Sequence, residues 1–185
     1  HCLKPFFAII YPHYNTKQVK MKSLAVAFTG PSDSGKTTLV VKVANLLRKE
    51  YQLAIIKNDP SDKAVFDVEG KDSWKFSQTG AEVVITSPTR TTLFSQRQKS
   101  LDDIIAMIGD FDFLLVEGLK NLPLPRIAIF RNKLDESYFD CSDAIAVDES
   151  VTLSDYAIPS HIALLDLNNP EQVVAWIEKN AKKVK

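Results

Sequence analysis

The sequence predicts an α/β domain in which helices cover both faces of a mostly parallel sheet. Short apolar segments alternate along the chain with segments of helical spacing, and strands joined by such crossovers pair in parallel. The first apolar segment, residues 24–28, contains no polar residue and ends at a glycine loop, which is typical of a strand buried on both faces. At 185 residues the chain is long enough for one such domain with a full core.

The first half of the chain contains two further predicted strands and two predicted helices. After the glycine loop, apolar residues recur every three or four positions over 39–47, which predicts an amphipathic helix. Residues 53–56 are predicted to form the next strand, and a polar loop follows it. Asp72 is a suitable N-cap and Gly80 a suitable C′ residue, so a short helix is expected between them. Residues 82–86 form a third predicted strand.

The second half continues the same alternation. Ser100 and Asp103 have the spacing of a capping box, which predicts a helix that begins there. A closing helix is indicated by Asn169 as N-cap, Pro170 at the first helical position and Gln172 where a capping box places its second side chain. Four more apolar segments are predicted strands: residues 111–116, 126–130, 144–147 and 162–165.

Residues 1–20 differ from the rest of the chain. They contain three lysines and no acidic residue, and Met21 directly precedes the first predicted strand. We expect residues 1–20 to be a leader, either an expression remnant or an upstream mis-start, and a short extra strand is the alternative. Residues 21–185 are then expected to form a single domain.

The balance of charges and the few cysteines narrow the class of protein. The 23 basic and 23 acidic residues leave no net charge that would attract nucleic acid or an anionic membrane. No apolar run reaches the length of a membrane span. Cys2 and Cys141 provide neither a disulfide framework nor the spacing of a metal site. These features predict a cytoplasmic protein with no nucleic-acid or membrane partner.

The strongest motif is Gly30-x4-Gly35-Lys36-Thr37, which matches the phosphate-binding P-loop. Glycines let backbone N–H groups approach phosphates, Lys36 can reach the β- and γ-phosphates, and the Thr37 hydroxyl can ligate Mg²⁺. Because the motif lies between a predicted strand and a predicted helix, it predicts a three-layer P-loop NTPase fold that binds a nucleoside triphosphate with Mg²⁺. The residues assigned to the phosphates are Gly30, Pro31, Ser32, Asp33, Ser34, Gly35, Lys36, Thr37 and Thr38.

Two carboxylates are candidates for the metal and for the attacking water. Glu117 ends the most apolar predicted strand and precedes Gly118, which is the position where P-loop proteins hold magnesium or its water. Asp59 comes just after the second predicted strand and is a candidate for the same two roles. The alternative for Glu117 is a solvated residue at a strand end, and the alternative for Asp59 is a member of a solvated acidic loop.

The segment Asn132-Lys133-Leu134-Asp135 spells the N-K-x-D pattern of guanine-nucleotide proteins. In those proteins the carboxylate accepts hydrogen bonds from the N1–H and 2-amino groups of guanine. Adenine lacks both donors, so Asn132, Lys133 and Asp135 predict a preference for GTP over ATP. A pattern of four residues is short, and a plain polar turn is the alternative.

These residues together resemble the molybdopterin-guanine dinucleotide biosynthesis protein B (MobB) family. The resemblance extends from Met21 to the closing helix and depends on the order and spacing of several segments. They are the P-loop through Leu39, Ile55-Ile56-Lys57, Gly70-Lys71-Asp72-Ser73, Gly80-Ala81, Ser87-Pro88-Thr89-Arg90 and Leu115-Val116-Glu117-Gly118-Leu119-Lys120. The resemblance implies a GTP-binding P-loop protein, usually a homodimer, that assists the guanylyltransferase joining GMP to molybdopterin and hydrolyses GTP slowly at best.

The resemblance also implies a second ligand. Lys57, Asp72 and Arg90 match polar positions around the nucleotide cleft and would bind molybdopterin or its phosphate. Asn58 stands where the family often has histidine, and Lys75 stands where it often has arginine. The point charge of lysine cannot reproduce a bidentate arginine contact, so these departures concern the second ligand more than the GTP site.

Two other classes of function share parts of this pattern. An ATP-dependent ligase of the dethiobiotin synthetase-like group has the same fold and a strand-end Val-Glu-Gly, but this chain has no evident second-substrate lysine motif. A nucleotide-dependent switch or metal-insertion chaperone usually carries a Cys/His cluster, which the sequence does not contain. A GTP-binding adapter is therefore the predicted function, and the ligase is the alternative.

Overall fold

The computed structural model describes residues 22–185, and the expectations for residues 1–20 and for Met21 lie outside the described residues. None of the helices in the described part is both long and apolar enough to cross a membrane. The strands are β1 (Leu24–Thr29), β2 (Leu53–Lys57), β3 (Val83–Thr86), β4 (Thr91–Phe94), β5 (Phe113–Glu117), β6 (Arg126–Phe130), β7 (Ala144–Val147), β8 (Ala163–Asp166) and β9 (Lys182–Lys183). The α-helices are α1 (Lys36–Leu47), α2 (Asp72–Ser77), α3 (Leu101–Ile108) and α4 (Pro170–Asn180), and short 3-10 segments span Glu136–Cys141 and Leu153–Asp155.

A mostly parallel central sheet confirms the predicted fold class. Six strands lie in the order β2-β5-β1-β6-β7-β8 and run parallel, while β9 pairs antiparallel with the start of β1. The strand β1 therefore lies between β5 and β6. The residues that follow these three strands meet at the same edge of the sheet, where ligands of open α/β sheets bind.

Alternate residues of β1 build the core on the two faces of the sheet. Val26 and Phe28 pack on one face with buried residues of α1 and α4. Ala25 and Ala27 point to the other face, where they pack with Ile105 of α3 and with apolar residues of β2 and β5. Both faces of β1 are thus covered, which explains why its sequence contains no polar residue before Thr29.

The predicted strand at residues 82–86 forms, but it does not join the central sheet. It is β3, which pairs antiparallel with β4 in a separate two-stranded sheet, and β4 was not predicted. Only four residues separate the two strands, which is enough for a hairpin but not for the crossover that parallel pairing needs. Of the four residues in β3 only Val83 is buried, so the hairpin lies at the surface of the domain.

The helix caps follow the sequence with three corrections. The Ser100–Asp103 capping box and the Asn169 cap are both present. Gln172, however, does not complete a capping box, because Asn169 N–H already donates to the Asp166 carbonyl and the Gln172 side chain accepts from Asp166 N–H instead. Asp72 is also not an N-cap: Lys71 has the extended backbone of that position, and Asp72 is the first helical residue. Gly80 is not the C′ residue, because the C-cap of α2 is Gln78 and Gly80 lies one position beyond C′.

Candidate functional site

The loop between β1 and α1 has the backbone of a phosphate cradle. Gly30 has φ 140°, and a Cβ at that position would overlap the carbonyl oxygen of Ile129 in the neighbouring β6. Gly35, with φ 93°, is the left-handed residue from which α1 begins. Side chains are excluded at Gly30 by close packing and disfavoured at Gly35 by its backbone, so the loop presents its backbone to the cleft.

Two polar side chains of the loop fit a phosphate ligand. The Lys36 ammonium folds back and donates to the Pro31 carbonyl at 2.6 Å, so it lies across the loop. Burial lowers the pKa of Lys36, and the negative charge of Glu117 acts in the opposite direction. The Ser34 hydroxyl is buried and has no hydrogen-bond partner within residues 22–185. Phosphate oxygens accept hydrogen bonds from groups of this kind, a buried hydroxyl without a partner and a half-buried ammonium.

Glu117 and Lys57 lie side by side at the edge of the sheet where the P-loop begins. Glu117 is in register with Phe28 of β1 on one side and with Lys57 of β2 on the other. The Lys57 ammonium is 3.3 Å from a Glu117 oxygen, and the Glu117 side chain is 13% exposed. The structure therefore brings together the predicted metal carboxylate and one residue that the family resemblance assigns to a second ligand.

The site also fits magnesium, which is usually held by one or two carboxylates together with phosphate oxygens and water. Thr37 is exposed at the start of α1, and Glu117 is the carboxylate at the adjacent strand end. Among residues 22–185 no group of three or more His, Cys, Asp and Glu side chains could hold a metal ion by itself. This donor set is suited to a metal that arrives with a nucleotide.

Asp59 organises its own loop. Its two carboxylate oxygens accept backbone N–H groups from Ser61, Lys63 and Ala64 at 3.3, 2.8 and 2.7 Å. These hydrogen bonds, that from Ala64 first, hold the pKa of Asp59 below its ordinary value of 3.8. Asp59 is ionised at neutral pH but largely engaged by the backbone, and its role as a metal or water ligand stays a prediction.

The N-K-x-D residues form a turn directly after β6. Asn132 has φ 64° and its N–H donates to the Ser150 hydroxyl at 2.7 Å, while Lys133 N–H donates to the Arg131 carbonyl. The Asp135 carboxylate caps the 3-10 segment that follows by accepting from the N–H and hydroxyl of Ser137. These bonds lower the pKa of Asp135, the hydroxyl first. The carboxylate is exposed and ionised, and guanine recognition stays a prediction.

Asp72 and Arg90 make their contacts outside the P-loop and away from Glu117 and Lys57. Asp72 pairs with Lys75 on α2, with 3.6 Å between the charged atoms. Arg90 lies in the turn of the β3–β4 hairpin and lines a cavity of about 400 Å³ together with Asp67 and Ser73. That cavity shares no lining residue with the cleft at the P-loop. The assignment of Lys57, Asp72 and Arg90 to one second ligand stays a prediction.

Four arginines, Arg90, Arg97, Arg126 and Arg131, can each contact phosphates by their chemistry, but the sequence assigns none of them. The structure places Arg131 at the P-loop. The side chain follows β6 and lines a cleft of about 300 Å³ at the P-loop, which we call the P-loop cleft; its other lining residues are Asp33, Gly35, Lys36, Thr37 and Thr38. Its guanidinium forms an ion pair with Asp148, with 3.1 Å between Nε and Oδ2. The position directly after the strand next to β1 was the only signal in the sequence, and it becomes informative once the strand order is known.

Arg126, another of these four arginines, is instead the largest fully buried side chain among residues 22–185. Its guanidinium donates to four carbonyl oxygens of the loop after β5, at distances from 3.0 to 3.2 Å; they belong to Gly118, Leu119, Lys120 and Leu122. We call this loop the 118–122 loop. It forms one wall of a cavity of about 450 Å³ that is also lined by Gly30 and Asn58. Arg126 thus fixes the segment that directly follows Glu117.

The comparisons with known proteins all point to the same family. The family model described as Molybdopterin guanine dinucleotide synthesis protein B (MobB) matches residues 25–149. The molybdopterin-guanine dinucleotide biosynthesis adapter protein of Haemophilus influenzae is 29% identical over 159 residues, which cover 83% of this chain and 86% of that protein. A putative adapter protein of the same description from Methanocaldococcus jannaschii is 30% identical over 137 residues, covering 71% of this chain and 55% of that protein.

Solved structures support the fold. The crystal structure of Bacillus subtilis MobB matches with a TM-score of 0.69 at 20% identity and covers 86% of this chain and 98% of that one. A MobB homologue from Bacillus stearothermophilus matches with a TM-score of 0.59 at 18% identity, covering 84% and 95% of the two chains. At these identities the likeness shows the arrangement of the sheet and helices alone.

Proposed function

This chain belongs to the molybdopterin guanine dinucleotide synthesis protein B family, and on that premise we propose that it is a GTP-binding adapter in the biosynthesis of molybdopterin guanine dinucleotide. The observation that carries the proposal is the P-loop cradle, with Lys36 across it and Glu117 at the adjacent strand end. Backbone donors, an ammonium and one carboxylate at a sheet edge are the groups that bind a nucleoside triphosphate with Mg²⁺.

The residues of the P-loop would hold the nucleotide, and few groups are placed for rapid chemistry. The segment from Gly30 to Thr38 would contact the phosphates, and Thr37 with Glu117 would hold Mg²⁺. Glu117 or Asp59 could orient a water for hydrolysis, a reaction that needs positioning more than a strong base. Because Asp59 is engaged by three backbone N–H groups and Glu117 by Lys57, we expect hydrolysis to be slow. An adapter role does not require rapid turnover.

The partner that we propose is the guanylyltransferase that joins GMP to molybdopterin. The name of the Haemophilus influenzae relative describes that protein as an adapter in this biosynthesis, which supports a protein partner for the family. Lys57, Asp72 and Arg90 are the residues that we assign to molybdopterin or its phosphate. The partner is tested by adding this protein and GTP to the guanylyltransferase and molybdopterin, where faster formation of the dinucleotide is the supporting result.

Guanine specificity is the first part of this proposal to test. We expect GTP with Mg²⁺ to bind at least about tenfold more tightly than ATP with Mg²⁺, which corresponds to about 1.4 kcal/mol. The physical reason is that the Asp135 carboxylate can accept from two guanine donors that adenine lacks. Calorimetric titration of both nucleotides into the protein measures the difference. Equal affinities, or a preference for ATP, would exclude the guanine-specific adapter and favour the ligase-like enzyme.

The same titration with Asp135→Ala tests the residue. We expect this variant to lose GTP affinity while ATP affinity changes little. Asp140→Ala is the matched control, because Asp140 is an exposed aspartate in the 3-10 segment that Asp135 caps and forms no side-chain hydrogen bond among the described residues. Equal losses for both nucleotides, or no loss, would remove the assignment of Asn132, Lys133 and Asp135 to guanine.

We also propose a homodimer, supported by an apolar surface around the β3–β4 hairpin. Within residues 22–185 this hairpin pairs only with itself, and Val84 and Leu93, which lie opposite each other in it, are 57% and 38% exposed. Contiguous exposed apolar residues often mark a protein interface. We expect Val84→Glu to convert a dimer to a monomer in sedimentation velocity, because it places a charge within the interface. Met107→Glu, at an apolar position on α3 that is 51% exposed, should leave the dimer intact. A monomeric wild type, or a dimer unaffected by Val84→Glu, would refute this proposal.

A further inference from the structure

Arg131 lies against the P-loop with the flat face of its guanidinium. Three of its atoms, Nε, Cζ and Nη2, are 3.4, 3.5 and 3.6 Å from the point that a Cβ of Gly35 would occupy. The near equality of these distances indicates that the guanidinium plane covers Gly35. Its N–H edge can therefore donate sideways into the P-loop cleft. The side chain is 43% exposed, so a ligand in the cleft can reach it.

Asp148 holds Arg131 in this position. Its side chain is 11% exposed and contacts Arg131 Nε through Oδ2, while Oδ1 accepts from the hydroxyl and the N–H of Ser150. The same hydroxyl accepts from Asn132 N–H at 2.7 Å. This network joins the ends of β6 and β7. The bonds from Ser150, the hydroxyl first, keep the pKa of Asp148 below 3.8, so its charge is present at neutral pH.

Arg131 and Glu117 lie on opposite sides of β1. Glu117 and Lys57 are on the side of β5, whereas Arg131 follows β6 on the other side. In P-loop proteins magnesium bridges the β- and γ-phosphates, so Glu117 as the predicted metal ligand would place the terminal phosphate on the β5 side. Arg131 is then next to the start of α1 at Gly35 and Thr38, where the phosphate nearest the nucleoside would lie.

We propose that Arg131 contacts the α-phosphate of the bound nucleotide and that Asp148 positions Arg131 for this contact, an inference that rests on the proposed function. A guanidinium can bind a phosphate through two parallel N–H donors, and an ion pair through Nε leaves the terminal amino groups for the ligand. Since GTP and GDP share the α-phosphate, the contribution of Arg131 should be the same for both nucleotides.

The test is calorimetric titration of GTP and of GDP, each with Mg²⁺, into the full chain and its variants. We expect Arg131→Met to weaken both nucleotides by a similar factor of about ten or more, which is the size of one charged hydrogen-bonded contact. Arg131→Lys should restore part of the loss, because lysine keeps the charge without the bidentate geometry. Asp148→Asn should weaken binding less, and it should add no further loss in the Arg131→Met background because it acts through Arg131.

Arg97→Met is the matched control. Arg97 is exposed and forms an ion pair with Glu82 through Nε at 3.3 Å, so the same substitution removes a similar pair away from the P-loop cleft. A loss confined to GTP would overturn the α-phosphate assignment in favour of the γ-phosphate. Unchanged affinity with a lower melting temperature would make the Arg131–Asp148 pair purely structural and overturn the inference. A wild type that binds neither nucleotide would overturn the proposed function first.

Discussion

Lys36→Ala is expected to abolish nucleotide binding and to leave the fold intact. The Lys36 ammonium lies over the P-loop and donates to the Pro31 carbonyl. When phosphates bind, the ammonium would replace this one neutral acceptor with several charged oxygens. Hydrogen bonds to charged groups contribute about 1.5–3 kcal/mol each. Losing two of them would weaken GTP by about 3–6 kcal/mol, which is roughly a hundredfold or more.

The fold should survive this substitution because Lys36 contributes little to the core. Its side chain is not among the buried residues of α1, which are Leu39, Val40, Val43 and Leu47. Circular dichroism and thermal unfolding should therefore match those of the wild type, while titration with GTP shows no binding. Lys42→Ala, which removes an exposed lysine from the same helix, is the control and should bind normally. Micromolar or tighter GTP affinity in Lys36→Ala would sink the assignment of the phosphate site.

Local patterns predicted most of the fold. The apolar run of β1, the helical spacing of α1 and the Ser100–Asp103 box each depend on residues within one element, and each formed as expected. The hairpin partner of β3 was missed because β4 contains two threonines, with Leu93 38% exposed, and so lacks the apolar run of a buried strand. The Gln172 side chain accepts from the Asp166 N–H at the end of β8 and so does not complete the predicted capping box.

The sequence could predict only those residues of the candidate site that belong to one continuous motif. Gly30 to Thr37 can be identified from sequence because the loop and the helix that it begins are continuous. The approach of Arg131 to Gly35, and its ion pair with Asp148, depend on the order of β1, β6 and β7 in the sheet. No spacing along the chain encodes that order, so residues contributed by neighbouring strands became visible only in three dimensions.

Arg126→Met is expected to destabilise the domain by about 3 kcal/mol or more. Methionine fills a similar volume but leaves the four carbonyl oxygens of the 118–122 loop without their donor. Buried groups that lose a hydrogen bond cost about 1–3 kcal/mol each. Removing the buried charge offsets part of this cost, as when a buried ion pair is replaced by apolar residues. The four carbonyl groups belong to the backbone and stay in place when Arg126 is replaced. The cost of their lost hydrogen bonds should therefore exceed the gain from removing the charge.

Thermal unfolding measures this effect, since 3 kcal/mol corresponds to about 6–12 °C in a domain of this size. Arg126→Lys should be intermediate, because an ammonium keeps the charge but cannot reach four carbonyls in the same fork. Arg48→Met, an exposed arginine just after α1, should change stability by no more than about 0.5 kcal/mol. If Arg126→Met melts with the wild type, water satisfies the loop carbonyls and Arg126 does not hold the 118–122 loop. If it melts lower as expected, the segment after Glu117 owes its conformation to a residue that no phosphate motif contains.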